Sequence, residues 1–98
     1  MQNAPKDRVI GEYETNINGD IHRTVLLENG ISEWYLDNKK IKEYKWKIVK
    51  EEIYINKDGY IGVLRINKDK SITLISYIED KKRTDYSKEE QSTWKKIK

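Results

Sequence analysis

At 98 residues, the chain has the length of one small domain, and its core must therefore be small. Charged residues make up 38% of it and apolar residues 36%, and with seven Tyr, three Trp and no Phe much of the buried volume has to come from rings that carry a polar atom. The absence of cysteine excludes disulfides and thiolate chemistry, and no apolar run approaches the roughly 20 residues that a transmembrane helix needs.

The net charge of +3 is concentrated at the end of the chain. Residues 1–80 carry 13 Lys or Arg and 14 Asp or Glu, whereas residues 81–98 carry seven and three. Gathered on one surface, the late basic residues would favour phosphates or acidic lipids. A solvated tail and a strand edge kept soluble by lysine is the alternative. The residues concerned are Lys81, Lys82, Arg83, Lys95, Lys96 and Lys98.

The first eight residues are polar, contain Pro5 and have no periodic pattern. We therefore predict a flexible N-terminal lead at 1–8 and a single β-barrel domain at 9–98. The lead suits the tether of a processed secreted protein, and it equally suits any loose terminus. Because it lacks the apolar centre of a signal peptide, two locations are open: the cell envelope or exterior after removal of an export signal, or the cytoplasm.

Turn signals recur about every 8 to 12 residues along the rest of the chain, for example at Asn18-Gly19, Asn29-Gly30 and Asp58-Gly59. The runs between them are rich in Ile, Val, Tyr, Trp and Thr, which favour strands. This rhythm predicts an all-β fold, an antiparallel up-and-down meander of eight strands that closes into a small barrel. The predicted strands lie near Val9–Thr15, Ile21–Glu28, Ile31–Leu36, Lys42–Val49, Glu52–Asn56, Tyr60–Ile66, Ile72–Ile78 and Thr93–Ile97.

The hairpin at Asn29-Gly30 sets which residues of its two strands face inward. A two-residue turn there places Val25 opposite Trp34. Matching Tyr13 with Val25 then requires a three-residue loop at Asn18-Gly19-Asp20, with its glycine at the positive φ of a bulged turn.

Two later hairpins continue the same inward face. A two-residue turn at Lys50-Glu51 places Trp46 opposite Ile55. An even-length loop at Asp58-Gly59 places Ile55 opposite Tyr60.

The predicted inward set extends into the next hairpin, where a loop around Asp69 matches Leu64 with Leu74. Apolar side chains that point outward form either a contact surface for a protein partner or a region covered by the lead or by the loop before the last strand. The inward set is Tyr13, Val25, Leu27, Trp34, Leu36, Tyr44, Trp46, Ile48, Ile53, Ile55, Leu64, Ile66, Ile72, Leu74 and Ile78. The proposed contact surface, which we call the outward stripe, is Ile61, Val63, Ile75 and Tyr77, and Leu26 and Tyr54 also point outward.

The connection at 79–92 is the longest, and its Ser87-Lys88-Glu89-Glu90 pattern predicts one helical turn with a capping box. We predict that a strand follows it rather than a helix, because Trp94 and Ile97 alone are too few apolar residues to anchor three helical turns. Pairing of this strand with the first one closes the sheet and removes both edges.

His22 is the single histidine, and the predicted register places it opposite Asp37 on the outer face. A catalytic or metal site would need a positioned nucleophile or further ligands, so an exposed cross-strand pair is the ordinary explanation. Adjacent carboxylates such as Glu51-Glu52 point to opposite faces of a strand and make poor acid–base partners. We therefore predict a protein that is not an enzyme, with no catalytic residue, no metal and no cofactor.

The aromatic side chains are the best candidates for a ligand-binding site. Trp34, Tyr44 and Trp46 share the inward face with Tyr13, and we predict that they line a pocket at one barrel mouth for a small apolar or planar ligand. The alternative is that these rings are ordinary core. Rings interleaved with lysines at residues 44–47 also suit single-stranded nucleic acid, but strand alternation separates them onto opposite faces, which argues against that partner.

Gly11-Glu12-Tyr13 opens the first predicted strand, and Thr93-Trp94-Lys95-Lys96 lies in the last. With a meander of strands between them, the chain resembles the small lipocalin-like (calycin-type) β-barrel domains of bacterial lipoproteins. In these families a Gly-x-aromatic element near the first strand and a basic residue in the last strand close the barrel base. Gly11 and Tyr13 match the first element, and Lys95 or Lys96 matches the second. The resemblance implies a secreted envelope domain that meets the membrane through an N-terminal lipid tether, on a cysteine that is absent from this chain.

Two functions follow from these expectations. The first is a non-enzymatic envelope domain that binds a small apolar ligand or a protein partner. The alternative is a cytoplasmic β-barrel module that binds single-stranded nucleic acid through its C-terminal basic residues.

Overall fold

The computed structural model describes residues 6–98, so part of the predicted lead, residues 1–5, lies outside the described residues. One helical turn, α1 (Lys6–Val9), precedes nine strands, and a 3₁₀ helix, η1 (Lys88–Glu90), lies between the last two. The strands are β1 (Gly11–Ile17), β2 (Asp20–Leu26), β3 (Ile31–Leu36), β4 (Lys39–Val49), β5 (Glu52–Lys57), β6 (Tyr60–Ile66), β7 (Ile72–Glu79), β8 (Lys82–Asp85) and β9 (Ser92–Lys96). Within this part of the chain, no helix has the length and apolar character needed to span a bilayer.

The strands form a closed antiparallel barrel, as the spacing of the turn signals predicts. β1 to β7 pair as successive neighbours. β9 lies between β1 and β7, where Lys96 pairs with Tyr13 and Trp94 pairs with Ile72. The barrel wall therefore has eight strands in up-and-down order, and the predicted closure by the last strand is confirmed.

β8 is a strand that the sequence does not predict. Where one long connection is expected at 79–92, Asp80-Lys81 forms a tight turn with φ values of 52° and 65°, and β8 returns along the second half of β7. One edge of β7 is therefore shared by β9, along residues 72–74, and β8, along residues 76–79. All four residues of β8 are exposed, so no apolar pattern marks it in the sequence. The predicted helical turn is confirmed as η1, with its Ser87–Glu90 capping box.

The first two hairpins differ from the predicted ones. Asn18-Gly19 forms a two-residue turn, with φ values of 53° and 90°, where three residues are predicted. The loop at Asn29-Gly30 has three residues instead of two, since the N–H of Leu27 donates to the carbonyl of Ile31 (2.9 Å) and that of Gly30 donates to the carbonyl of Leu27 (3.1 Å). Gly30 supplies the φ of +86° at which such a bulged loop closes.

This exchange of loop lengths moves β2 by one residue relative to both of its neighbours. Thr24 rather than Val25 lies between Tyr13 and Trp34. Leu26, predicted to point outward, is 0% exposed and belongs to the core. The first loop is one residue shorter than predicted and the second is one residue longer. The two differences cancel, so Tyr13 and Trp34 still share one row of the wall.

The later registers agree more closely with the predicted ones. Trp46 pairs with Ile55, and Leu64 pairs with Leu74, as predicted. Across the Asp58-Gly59 turn, Ile55 pairs with Gly62 rather than with the predicted Tyr60. This shift of two residues leaves every side chain on its predicted face.

The core fills the barrel and reaches α1 at one end. Val9 of α1 and Tyr13 of β1 are each 1% exposed, and the Tyr13 hydroxyl donates to the Val9 carbonyl oxygen at 2.7 Å. Burial raises the pKa of Tyr13 to about 12. Val9, which was predicted to begin the first strand, therefore lies in α1 and packs against the barrel from there. The buried cluster consists of Val9, Tyr13, Leu26, Trp46, Ile53, Ile55, Leu64 and Ile72.

Candidate functional site: a cleft beside Trp46

The four ring residues predicted to bind a ligand divide into two neighbouring groups. Tyr13 and Trp46 belong to the buried core, and Tyr44 packs against it. Trp34 instead stacks on His22, with ring centroids 6.0 Å apart and ring planes 13° apart. Three of the four rings thus belong to one core cluster or pack against it, and the fourth lies beside the histidine.

A cleft of about 510 Å³ opens beside Trp46, and we call it the Trp46 cleft. Lys45 pairs with both Ile31 and Asn56, and Asn56 pairs with Ile61, so these four residues form one row across β3, β4, β5 and β6. Because this row alternates with the inward Trp46, the cleft lies on the outer face of the wall. The lining residues are Asn29, Gly30, Ile31, Lys45, Trp46, Lys47, Tyr54, Asn56 and Ile61.

Three contacts fix Trp46 and the loop beside it. Its backbone N–H donates to the Gly30 carbonyl at 2.9 Å, and its indole Nε1 donates to the Leu27 carbonyl at 2.9 Å. The Lys6 ammonium lies 5.3 Å from the centroid of the Trp46 ring. The bulged loop between β2 and β3 is therefore fastened to β4, and this wall of the cleft is held in place before any ligand arrives.

The cleft is mainly apolar, with Asn29 and Asn56 among its lining residues and a positive border. Ile31, Tyr54 and Ile61 are half-buried, whereas Lys45 and Lys47 are exposed. No Asp or Glu lines this cleft among the described residues. An apolar surface with nearby ammonium groups suits a flat apolar molecule that carries an acidic group at one edge.

The outward stripe is largely covered within the monomer. Ile61 lines the Trp46 cleft, but Val63 is 0% exposed and offers a partner no surface. The N–H of Tyr86 donates to the Ile75 carbonyl at 2.8 Å, and the rings of Tyr77 and Tyr86 lie 5.5 Å apart. The segment that precedes the last strand therefore covers much of the stripe.

Arg83 and its partners fasten β8 to the barrel. Arg83 donates two hydrogen bonds to the carboxylate of Glu52 on β5, at 2.9 and 3.1 Å, which spans β7 and β6. Ser76 of β7 donates to Asp85 at 2.6 Å. This hydrogen bond, followed by the one from Arg83, holds the pKa of Asp85 below its ordinary value. One member of the C-terminal basic cluster is therefore committed to structure.

His22 does not face Asp37, so the predicted pair is wrong. The one-residue shift of β2 moves the two residues out of register. His22 Nδ1 instead accepts a hydrogen bond from Trp34 Nε1 at 3.3 Å, and its ring meets the edge of Trp94 at 6.2 Å between centroids. Asp37 accepts the backbone N–H of Ile21 at 2.9 Å. The histidine thus belongs to an aromatic cluster, and the aspartate supports a turn.

No group of three or more His, Asp or Glu side chains within residues 6–98 is placed to hold a metal ion. No protein-family model, curated protein or solved structure shows significant similarity to this chain. Function therefore has to be inferred from the geometry of the barrel surface itself.

Proposed function

We propose that this chain is a non-enzymatic binding domain whose Trp46 cleft holds a small, flat, largely apolar ligand. The observation that carries the proposal is the cleft, whose volume of about 510 Å³ is in the range of small-molecule sites. Its apolar walls stand on strands of a closed barrel and on one anchored loop. Because such walls are preformed, binding loses little free energy to ordering of the protein.

The lysines at the border narrow the class of ligand. Lys45 and Lys47 lie on the same outer face as Tyr54, which is the direct partner of Lys47 on the neighbouring strand. A carboxylate or sulfonate on the ligand would meet these ammonium groups while its ring lies on the apolar wall. The expected ligand is therefore an amphipathic ring compound rather than a neutral hydrocarbon.

The proposal places the domain among lipocalin-like envelope domains, and three residues support this. Gly11, Tyr13 and Lys96 meet at the end of the barrel near α1, where Lys96 pairs with Tyr13 and its ammonium lies 6.0 Å from the ring centroid. A Cβ on Gly11 would lie 2.2 Å from the Lys98 carbonyl oxygen, at a φ of +149°, so this position requires glycine. The expected location is the envelope of a bacterium. Fractionation of the source cells with an antibody against the domain tests this, and recovery in the cytosol would contradict it.

Ligand binding is tested with 1-anilinonaphthalene-8-sulfonate, a flat apolar anion. Biosynthetic labelling with fluorotryptophan gives a ¹⁹F signal for each of the three Trp residues, and the variants Trp34→Phe and Trp94→Phe assign two of them. Because the Trp46 ring is 4% exposed and lies behind the wall of the cleft, we expect saturable binding to shift its signal indirectly, through its packing, and to leave the other two signals in place. A titration that instead shifts Trp34 or Trp94 would locate the ligand elsewhere and refute the proposal.

A pair of matched variants tests the cleft independently. Ile61→Asn places a polar group on its apolar wall, whereas Ile41→Asn makes the same change at an exposed residue outside its lining. We expect Ile61→Asn to weaken binding of the probe about tenfold, because apolar contact with the ligand is lost. Ile41→Asn should leave the affinity unchanged. Equal effects of the two substitutions would contradict a site at Ile61.

A further inference from the structure

A second cleft, of about 650 Å³, lies at the end of the barrel near α1, and we call it the basic cleft. Four cationic side chains line it: Arg8 of α1, Lys68 and Lys70 of the loop between β6 and β7, and Lys96 of β9. The Lys96 ammonium donates to the Arg8 carbonyl at 3.4 Å, which links the two ends of the chain at this point. Of the basic cluster predicted from the sequence, Lys96 alone lines this cleft, and Lys81 and Lys82 lie at the opposite end of β7.

Among the described side chains, no carboxylate is paired with a cation of the basic cleft. Among the side chains that the structure describes, no Asp or Glu lines the cleft, and none of its four cations has a carboxylate within 4.0 Å. Asp69, between the two loop lysines, is engaged by Ser71, whose N–H and hydroxyl donate to it at 3.0 and 2.5 Å. These hydrogen bonds keep the pKa of Asp69 below its ordinary value, so the carboxylate stays ionised, but it forms no ion pair within 4.0 Å with Lys68 or Lys70.

Four other residues complete the lining. Ile66 and Asn67 are half-buried, whereas Val9 and Tyr13 are each 1% exposed and present almost no free surface. The cleft is larger than a single phosphate, and its four cations carry most of the chemistry that a ligand would meet. It shares no lining residue with the Trp46 cleft.

We infer that the basic cleft binds a small ligand that carries phosphate groups, which meet the four cations. Arginine and lysine are the side chains that proteins use for phosphate, and four like charges around one cavity repel one another until an anion arrives. The phosphates belong either to a soluble metabolite-sized molecule or to a lipid headgroup. Both sources present the same chemistry to the cleft.

The backbone provides a variant that removes a cation without loss of stability. Lys70 has a φ of +75°, in the left-handed region that glycine adopts at little cost. Lys70→Gly therefore deletes one charge of the basic cleft and relieves the loop. Lys81→Gly is the matched control, since Lys81 has a φ of +65° and lies at the opposite end of β7. Both variants lower the net charge equally.

The experiment is an NMR titration of the ¹⁵N-labelled full chain with sodium tripolyphosphate at constant ionic strength. We expect saturable shifts of the amides of Arg8, Lys68, Lys70 and Lys96. The Lys70→Gly variant should bind about three- to tenfold more weakly, and Lys81→Gly should bind as the parent does. Equal weakening in the two variants, or shifts that follow net charge over the whole surface, would overturn the inference.

A parallel sedimentation assay with vesicles of phosphatidylserine and phosphatidylcholine identifies the source of the phosphate. Saturation by tripolyphosphate without sedimentation supports a soluble ligand. Sedimentation that Lys70→Gly reduces and Lys81→Gly does not reduce supports a lipid headgroup. Absence of both kinds of binding would overturn the inference.

Discussion

Replacement of Tyr13 by phenylalanine removes one oxygen atom from the junction of α1 with the barrel. The Tyr13 hydroxyl donates to the Val9 carbonyl at 2.7 Å, and both residues are almost fully buried. Deletion of the hydroxyl leaves that carbonyl without its donor in a dry environment. We therefore expect Tyr13→Phe to lower the free energy of unfolding at neutral pH by about 1–3 kcal/mol.

Tyr13 also makes the free energy of unfolding depend on pH in the alkaline range. The pKa of Tyr13 is about 12 in the folded chain, against an ordinary value of 10.0. A raised pKa means that folding favours the neutral form of Tyr13. The resulting contribution to the free energy of unfolding is complete below pH 10 and is lost as the pH rises through about 12. The two-unit shift corresponds to about 3 kcal/mol in total. The stability difference between the parent chain and Tyr13→Phe should shrink by about 2 kcal/mol between pH 8 and pH 12, and the rest of the effect is lost above the folded pKa.

The measurement is urea unfolding followed by tryptophan fluorescence from pH 8 to pH 12, for the parent chain, Tyr13→Phe and Tyr60→Phe. Other titrating groups act equally on parent and variant, so they cancel in the difference. Tyr60 is 38% exposed, and its variant controls for the loss of an exposed hydroxyl. A parent-to-Tyr13→Phe difference that stays constant through this range would refute the assignment of a buried, hydrogen-bonded phenol.

Three further sets of substitutions test other parts of the fold by urea unfolding. Arg83→Met should lower the free energy of unfolding by about 0.5–1 kcal/mol, since both partners of the Arg83–Glu52 ion pair are partly exposed. In a double-mutant cycle with Glu52→Gln, the effects of the two substitutions should not add. Additive effects would show that the ion pair contributes nothing to stability. Gly11→Ala should cost roughly 2–4 kcal/mol because its Cβ would overlap the Lys98 carbonyl, and a near-neutral result would contradict the close approach. Leu26→Ala should cost about 2–5 kcal/mol and Leu27→Ala about half as much or less, whereas the reverse order would favour the register predicted from the sequence.

Turn chemistry explains how far the sequence predicts the register. Asn18-Gly19 and Asn29-Gly30 contain the same dipeptide, yet the first closes a two-residue loop and the second a three-residue loop. Asparagine and glycine both tolerate positive φ, so the dipeptide is compatible with either loop. The choice is made by packing, because the observed register places Leu26 in the core. Such long-range selection is not visible in a local pattern.

The two clefts differ in how well the sequence reveals them. Part of the Trp46 cleft is predictable from the sequence. The two-residue turn at Lys50-Glu51 that pairs Trp46 with Ile55 also places Lys47 opposite Tyr54, as observed. Trp46 and Ile61 were predicted to bind a ligand and a partner respectively, and both line this cleft. The basic cleft is not predictable from the sequence, because its cations come from three segments that meet only when the barrel closes. β8 was missed for a different reason: its exposed polar residues carry no alternation.

The position of β9 sets the order in which this domain can be completed during translation. The pairing of β9 with β1 joins Lys96 to Tyr13, so the barrel of a nascent chain cannot close until nearly all of the chain has left the ribosome. Until then β1 and the first half of β7 each present an unpaired edge to the surrounding solution. Truncation before β9 would make that temporary hazard permanent, and the shortened product should be a substrate for chaperones and aggregation rather than a smaller barrel.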